Sequence, residues 1–350
     1  MKRICIVPRV SGVGGMVSFR AKFSASLEAR GVDVVHDPGL PTIDSLLVIG
    51  GTRDIPGLWR AKRRGVRIVQ RLNGMNWLHH LQPTGIKHYL RAEYGNLILR
   101  IIRARLADHI IYQSSFAKGW WERTFGLTRV PASVIYNAVN LNTYTPAPDS
   151  EHQTSPSYEL PADHYRLLLV EGSLMGGYEL GLESAVQLIE LLNASYRDRL
   201  GKPAKLMVAG RISDEIKNQW TQKANGALVW AGLVAPEQIP ALDRSAHLLY
   251  SSDINAACPN SVIEALACGL PVLAFDTGAL PELVTGDAGR VVPYGGNPWQ
   301  LEQPDIPALA EAAAEILSEQ TRFRTAARRL AEQAFDLDQM ADSYLDALKG

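Results

Sequence analysis

Short apolar, β-branched runs alternate with helical patterns along almost the whole chain, and this alternation most narrows what it can fold into. The strand candidates Arg3–Val7, Val32–Val35, Ser45–Ile49, Val66–Arg71, His109–Tyr112 and Ser133–Tyr136 are separated by the helix candidates Met16–Ala29, Pro56–Arg63, Lys87–Ala107 and Phe116–Phe125. A helix in each connection between strands predicts a parallel, doubly wound sheet. The polar, proline-rich stretch 146–157 interrupts the rhythm and reads as a linker. The rhythm then restarts, with strands at Arg166–Val170, Lys205–Val208, Leu228–Trp230, Leu248–Tyr250 and Val272–Phe275. Helices are expected at Glu179–Leu192, Asp214–Lys223, Pro236–Leu242, Asn260–Cys268 and Ile306–Leu317, and a last one, Asp338–Leu348, carries an apolar seam of Met340, Tyr344 and Leu348. The fold class is therefore α/β, with two Rossmann-like domains: an N-terminal one over 1–150, a linker over 151–164, a second domain over 165–335 and a terminal helix over 336–350. Ligands bind beyond the C-terminal ends of parallel strands, so two such sheets facing each other would form a cleft lined by the post-strand loops.

A length of 350 residues suits two domains better than one. No apolar run approaches the ~18 residues needed to span a bilayer. Pro8 and Arg9 end the first apolar run after Val7, too early for a signal segment, so it reads as a strand. Cys5, Cys258 and Cys268 are odd in number and lack metal-ligand spacing, which predicts reduced thiols and a cytoplasmic protein. The net charge of zero conceals an asymmetry: residues 1–150 carry 21 lysines and arginines against 9 aspartates and glutamates, and residues 151–350 carry 15 against 27. A basic first half attracts anionic membranes, lipid phosphates or polyanions, and an acidic second half argues against nucleic acid as a partner.

Two segments carry chemistry. After the first strand, Gly12, Gly14 and Gly15 precede a helix, so backbone N–H groups and a helix start could meet an anion; a tight turn explains the same residues. A dinucleotide fingerprint needs a further glycine where Val17 stands, which weakens a nicotinamide-dependent oxidoreductase reading. The second segment is the nearly all-apolar helix that opens at Pro259 and stops at Gly269. Its one carboxylate, Glu264, needs donors if buried. Asn260 and Ser261 lie one turn earlier on the same face, an arrangement that would hold a ribose against Glu264 and a phosphate at the helix start. A buried ion pair to a distant arginine is the competing reading of Glu264. The turn at Gly278 offers further backbone donors, while Glu282 starts the next helix and would also complement its dipole.

Residues Pro259–Val272 (PNSVIEALACGLPV), followed by Thr277, Gly278, Pro281 and Glu282, resemble the donor-site signature of retaining glycosyltransferase family 4. Asn137–Pro146 (NAVNLNTYTP) resembles that family's "NGVD…F.P" segment, which closes the first domain, and Gly14-Gly15 fits its first-strand loop. The resemblance implies a GT-B fold, a nucleotide-sugar donor held mainly by the C-terminal domain, an acceptor held mainly by the N-terminal domain, and a terminal helix that packs back on the first domain. It implies that Glu264 binds the donor's ribose, that the backbone near Gly278 touches sugar or phosphate, and that no metal or cofactor is required. The one D-x-D, Asp336 to Asp338, lies at the start of the terminal helix and is set aside.

The chain departs from the pattern at three places. Ala256 stands where the family has a second glutamate, eight positions before Glu264. Ser173 stands where it has an arginine, and no lysine follows between Gly172 and Tyr178. Arg211 or Arg20 could be the substitute cation, although a plain surface arginine explains each slightly better; the glycines at 172, 176 and 177 could cradle phosphate instead, and Asp253 or Asn255 could partly replace the glutamate, though neither is in register. In the first domain, Asn73 occupies a position where some members carry aspartate or histidine; it hydrogen-bonds but cannot act as a base, and it reads equally as an acceptor or sugar contact and as a turn residue. His79 and His80 are adjacent on an expected helix and so should face different ways, against a metal pair. The expectation is a glycosyltransferase that moves sugar from a nucleoside diphosphate to a glycan or lipid-linked acceptor with retention. The alternative is a GT-B homologue that binds without transferring. The long helix, with Leu97, Ile98, Ile101 and Ile102 beside Lys87, Arg91, Arg100, Arg103 and Arg105, reads as a core-facing stripe with a solvated basic face; peripheral contact with an anionic membrane is the competing reading.

Overall fold

The computed structural model describes residues 2–12, 14–82, 85–146, 163–174 and 179–350. They form two units, Met1–Ala138 with Asp336–Gly350, and Val139–Phe335.

The first unit is a parallel sheet of β1 (Arg3–Val7), β2 (Asp33–Val35), β3 (Ser45–Ile49), β4 (Arg67–Leu72), β5 (His109–Tyr112) and β6 (Ala132–Val134), in the order β2-β1-β3-β4-β5-β6. Its helices are α1 (Gly15–Ala29), α2 (Ile55–Arg63), α3 (Ile86–Ile101) and α4 (Ser115–Phe125), with the C-terminal helix Leu337–Lys349. The two-residue period of a strand sends alternate side chains to opposite faces. Ile4 and Ile6 pack with Phe19, Phe23 and Leu27 of α1 and Met340, Tyr344 and Leu348 of the C-terminal helix. Cys5 and Val7 face the other way, onto Leu58, Ala61, Ile98 and Ile102. Each such fully buried aliphatic or aromatic side chain is worth about 1.5–3 kcal/mol, so helices on both faces are required. Side chains cap α2 and α4: Asp54 accepts from Gly57 N at 2.8 Å, and Ser114 from Ala117 N at 3.0 Å. Asp336 caps the C-terminal helix in the same way, from Gln339 N at 2.9 Å, and Asp338 pairs with Arg30 at 2.8 Å, which gives the D-x-D a structural role.

The second unit is a parallel sheet of β7 (Tyr165–Ser173), β8 (Ala204–Arg211), β9 (Leu228–Gly232), β10 (Leu248–Ser251), β11 (Val272–Phe275) and β12 (Gly289–Val292), in the order β12-β11-β10-β7-β8-β9. Its helices are α5 (Glu179–Ser195), α6 (Arg197–Leu200), α7 (Asp214–Lys223), α8 (Ile239–Arg244), α9 (Asn260–Ala267), α10 (Leu280–Leu283), α11 (Ile306–Ser318) and α12 (Gln320–Ala334). The chain runs outward through β8 and β9 on one side of β7 and through β10, β11 and β12 on the other. The strand order thus reverses between β7 and β10, and the loops leaving those two strands flank the switch point where open parallel sheets bind ligands.

Three features differ from the sequence reading. The segment Val139–Pro146 belongs to the second unit and not to a first domain of 1–150. Val139 N donates to Phe335 O at 3.0 Å, Arg328 of α12 donates to the carbonyls of Tyr144 and Ala267 at 2.8 Å each, and Arg244 donates to Thr145 O at 3.2 Å. The strand β12 and the helix α12 were not expected. The long helix is not one regular stripe: α3 widens into a π turn over Ile102–Leu106. The linker expected over 151–164 lies, as far as 162, outside the described residues, as do Gly176 and Gly177.

Candidate functional site

The loops after β10 and β11 are stitched together. Ala279 N donates to Ala256 O at 2.8 Å, and Thr277 Oγ1 donates to Asp253 O at 3.4 Å. Gly278 has φ +62°, and a Cβ there would lie 2.5 Å from both N and O of Ala256, so this close approach demands glycine. Asn255 is itself left-handed, with φ 57°, and 4% exposed. Its Nδ2 has no hydrogen-bond partner among the described residues. Leaving such a buried donor unmade costs about 1–3 kcal/mol, which an acceptor from a ligand would offset.

Pro259 is the N-cap of α9, so Asn260 and Ser261 form its first turn. Val262, Ile263 and Ala265–Ala267 are buried, while Asn260, Ser261 and Glu264 are half-buried along the remaining face. The first-turn N–H groups and these side chains thus offer donors beside a carboxylate. The Tyr144 hydroxyl donates a hydrogen bond to Glu264. Burial pushes that hydroxyl far above its ordinary range, with the Glu264 charge as the next cause. Asp243, 1% exposed, is pushed well above the carboxylate range by burial and then by Glu264. Burial likewise raises the Cys268 thiol strongly. Burial thus favours the protonated forms of Tyr144, Asp243 and Cys268, all of which feel the Glu264 charge, while Arg244 acts on Asp243 and Cys268 in the opposite sense.

At the switch point, Ser252 Oγ donates to Glu171 Oε1 at 2.7 Å. Burial pushes Glu171 well above the usual carboxylate range, with Asp253 as the next cause, and burial raises Asp253 to about 6. Burial thus favours the protonated form of both carboxyls, one near the end of β7 and one just after β10. Ser173 on β7 pairs in register with Arg211 on β8, whose side chain is exposed. Gly172 is exposed, and a Cβ there would meet nothing within 4 Å. Glu282 is half-buried in the short α10. In the first unit, Gly14 and Gly15 stand at the start of α1, and Asn73 follows β4, its carbonyl accepting from Trp121 Nε1 at 2.8 Å.

Two family models match the chain: one described as Glycosyltransferase Family 4 over residues 3–143, and one described as Glycosyl transferases group 1 over residues 168–319. The chain belongs to the group 1, family 4 glycosyltransferases. Among curated proteins, this family member is 26% identical over 201 residues to D-inositol 3-phosphate glycosyltransferase of Thermobifida fusca, a stretch covering 55% of this chain and 45% of that relative. The match thus spans less than half the relative's length. Among solved structures it is similar to sucrose-phosphate synthase from Thermosynechococcus elongatus, with a TM-score of 0.73, 16% identity and coverage of 99% of this chain and 98% of that one. It is also similar to Anabaena HepE in complex with UDP and glucose (TM-score 0.68, 16% identity, 99% of each chain). WaaG, involved in lipopolysaccharide biosynthesis, is a third (TM-score 0.68, 13% identity, 99% and 100%). At these identities the likeness shows the fold, which is GT-B.

Within this family member, the structure gathers Asn260, Ser261, Glu264, Gly278 and Asn255 on one set of loops and one helix start. Tyr144, Asp243 and the Glu171–Asp253 pair were not anticipated as their companions. The aromatic position of the "NGVD…F.P" segment is the one available signal: it carries Tyr144, and a hydroxyl enclosed at 7% exposure must find an acceptor.

Proposed function

We propose that this family 4 member transfers a sugar from a nucleoside diphosphate to a hydroxyl of a glycan or lipid-linked acceptor, with retention at the anomeric carbon. The observation that carries the reading is Glu264, presented from α9 one turn after Asn260 and Ser261 and accepting a hydrogen bond from the Tyr144 hydroxyl. A carboxylate in that setting suits the two hydroxyls of a ribose, as charge-assisted bonds. The first turn of α9 and the Gly278 turn offer N–H groups to the diphosphate. In the step itself, the bond from the anomeric carbon to the phosphate oxygen breaks as the acceptor oxygen attaches, and the departing phosphate takes the acceptor proton. Stabilising that phosphate is typically worth several kcal/mol. We assign this to the α9 N–H groups, the Gly172 and Ser173 backbone and Arg211. Asn255 Nδ2 is the donor we place where Ala256 leaves the sugar without its usual carboxylate. Gly14, Gly15 and Asn73 of the first unit are assigned to the acceptor. No metal or cofactor is called for by this scheme.

Thermal stabilisation by a panel of nucleoside diphosphates, with UDP first, tests the donor site. A ligand at 100 times its Kd should add about 2.7 kcal/mol. A shift with one nucleotide, cut to about half or less in Glu264→Ala at the same concentration, supports the reading and selects the donor for turnover assays. No shift with any of them overturns it.

For the acceptor side, we propose peripheral contact with an anionic membrane through α3. No helix among the described residues is long and apolar enough to cross a membrane. Ile98 and Ala92 of α3 are buried, but Ile86, Leu90, Tyr94, Leu97 and Ile101 are exposed along one seam, Ile86 by 71%. Lys87, Arg91 and Arg100 accompany them. An apolar seam flanked by cations matches an anionic interface. Co-sedimentation with phosphatidylglycerol vesicles at low salt, lost in Leu90→Glu, is the expected result; no binding to those vesicles refutes the contact.

A further inference from the structure

The sequence expectation that His79 and His80 face apart is overturned. They lie on a single 3-10 turn, Leu78–His80, beside α3, and both reach one carboxylate. Glu93 Oε1 is 2.7 Å from His79 Nε2 and 3.2 Å from His80 Nε2. The two imidazoles stand 4.1 Å apart between centroids, and the Tyr89 ring packs edge-on against both, at 5.0 and 5.6 Å. The His79 side chain is 1% exposed, while His80 and Glu93 are about half open to solvent.

We propose that His79, His80 and Glu93 form a zinc site. The argument is geometric. The three ligand atoms all lie within 4.8 Å of one another. Tetrahedral zinc with bonds of about 2.0–2.1 Å spaces its ligand atoms about 3.3 Å apart. The two carboxylate–imidazole separations are therefore within about 0.6 Å of what zinc requires, and the third edge, at most 4.8 Å, has to close by rotation of the half-exposed His80 ring. Two imidazole nitrogens and one carboxylate oxygen form a donor set that zinc takes readily, whereas magnesium and calcium prefer all-oxygen ligands. Three protein ligands leave a fourth position facing solvent on the His80 side.

The site also has a scaffold. Asn76 N donates to Asn96 Oδ1 at 3.0 Å, and Asn96 Nδ2 donates back to Asn76 O at 2.9 Å, so the segment after Asn73 is already registered against α3. A zinc ion would lock that register from the other end of the same segment. The site lies wholly in the first unit and is independent of the donor-site reading.

The test uses the full chain, stripped with EDTA, exchanged into chelator-free buffer and titrated with ZnCl2 by calorimetry, with MgCl2 as control. The expected result is one zinc per chain, a rise in Tm that magnesium does not give, and visible absorption bands when Co2+ replaces zinc. His80→Gln alters a half-exposed side chain and should leave the metal-free Tm unchanged, while Glu93→Gln keeps an amide oxygen for His79 and should lower it only slightly. Each should weaken zinc binding by about tenfold or more and abolish the Co2+ bands. No zinc binding, or binding equally tight in both variants, overturns the proposal and leaves the contact as a hydrogen-bonded staple between the turn and α3.

Discussion

Removing the Tyr144 hydroxyl tests whether Glu264 is a positioned group or one that merely sits nearby. Tyr144 and Glu264 lie far apart in sequence and meet because Arg328 and Arg244 strap the segment around Tyr144 onto the second unit. Tyr144→Phe keeps the ring in a site 7% exposed and deletes one hydrogen bond to a carboxylate. Such a bond is worth about 1.5–3 kcal/mol. For a unit of this size each kcal/mol is about 2–4 °C, so Tm should fall by roughly 3–12 °C. Glu264→Ala strands the Tyr144 hydroxyl, a cost of about 1–3 kcal/mol. The two changes delete the same bond, so the double variant should be less destabilised than the sum of the singles by about 1.5–3 kcal/mol. Calorimetric unfolding of the four proteins gives this coupling, and the Kd for the nucleotide found by the panel gives a second one. Glu264→Ala should weaken the nucleotide by one to two orders of magnitude, as two charge-assisted bonds are lost. Tyr144→Phe leaves the carboxylate present but unheld, so only its ordering cost is added, about 0.5–1.5 kcal/mol or roughly two- to twelvefold in Kd. Additivity within ~0.5 kcal/mol in stability would refute the bond. A Tyr144→Phe protein with unchanged affinity would refute its positioning role.

Asp253 is raised to about 6, so the native state holds a proton that the unfolded chain releases near 3.8, and this group makes the protein less stable as pH rises from about 4 through 6. Asp253→Asn should flatten that part of the Tm–pH profile and add about 2–3 kcal/mol at pH 7.5; an unchanged profile would count against the pair. His247 acts with the opposite sign: burial pushes it down to about 3, so stability is full above 6.5 and is lost as pH falls toward 3. His247→Gln should blunt that acid sensitivity in the same titration, and a loss of stability that stays equally steep would exclude the histidine as its source. Gly278→Ala forces a Cβ to 2.5 Å from the Ala256 backbone at φ +62° and should cost more than about 2 kcal/mol and abolish nucleotide binding, whereas Gly172→Ala, with nothing within 4 Å, should keep its Tm. Equal Tm values for the two alanine variants would contradict the close approach at Gly278.

What the sequence discloses of this fold is whatever local periodicity dictates. Strands such as Ser45–Ile49 and helices such as Asn260–Ala267 carry their own hydrophobic pattern and their own stops, so their places follow from the chain itself. The helix α12 was equally legible, since Phe323, Ala327 and Ala331 recur at four-residue spacing, but its arginine-rich face disguised it. The strand β12 has four residues and only two apolar ones, too few for a period to register. The site divides along the same line. Asn260, Ser261 and Glu264 share one helix face, and helical spacing alone places them together. The partners that decide what Glu264 can do come from elsewhere: Tyr144 through a strap held by arginines, and Asp243 through the end of α8. The histidines make the same point at shorter range. Adjacent residues diverge by about 100° on a regular helix, which argues for opposite orientations. One 3-10 turn beside α3 lets both imidazoles swing to a single carboxylate, because the common point is supplied by a different element. Local pattern therefore determines which residues are presented. Which charges and donors surround them is set by contacts between segments far apart in the chain, and it is there that this member's departures at Ala256 and Ser173 are compensated or left open.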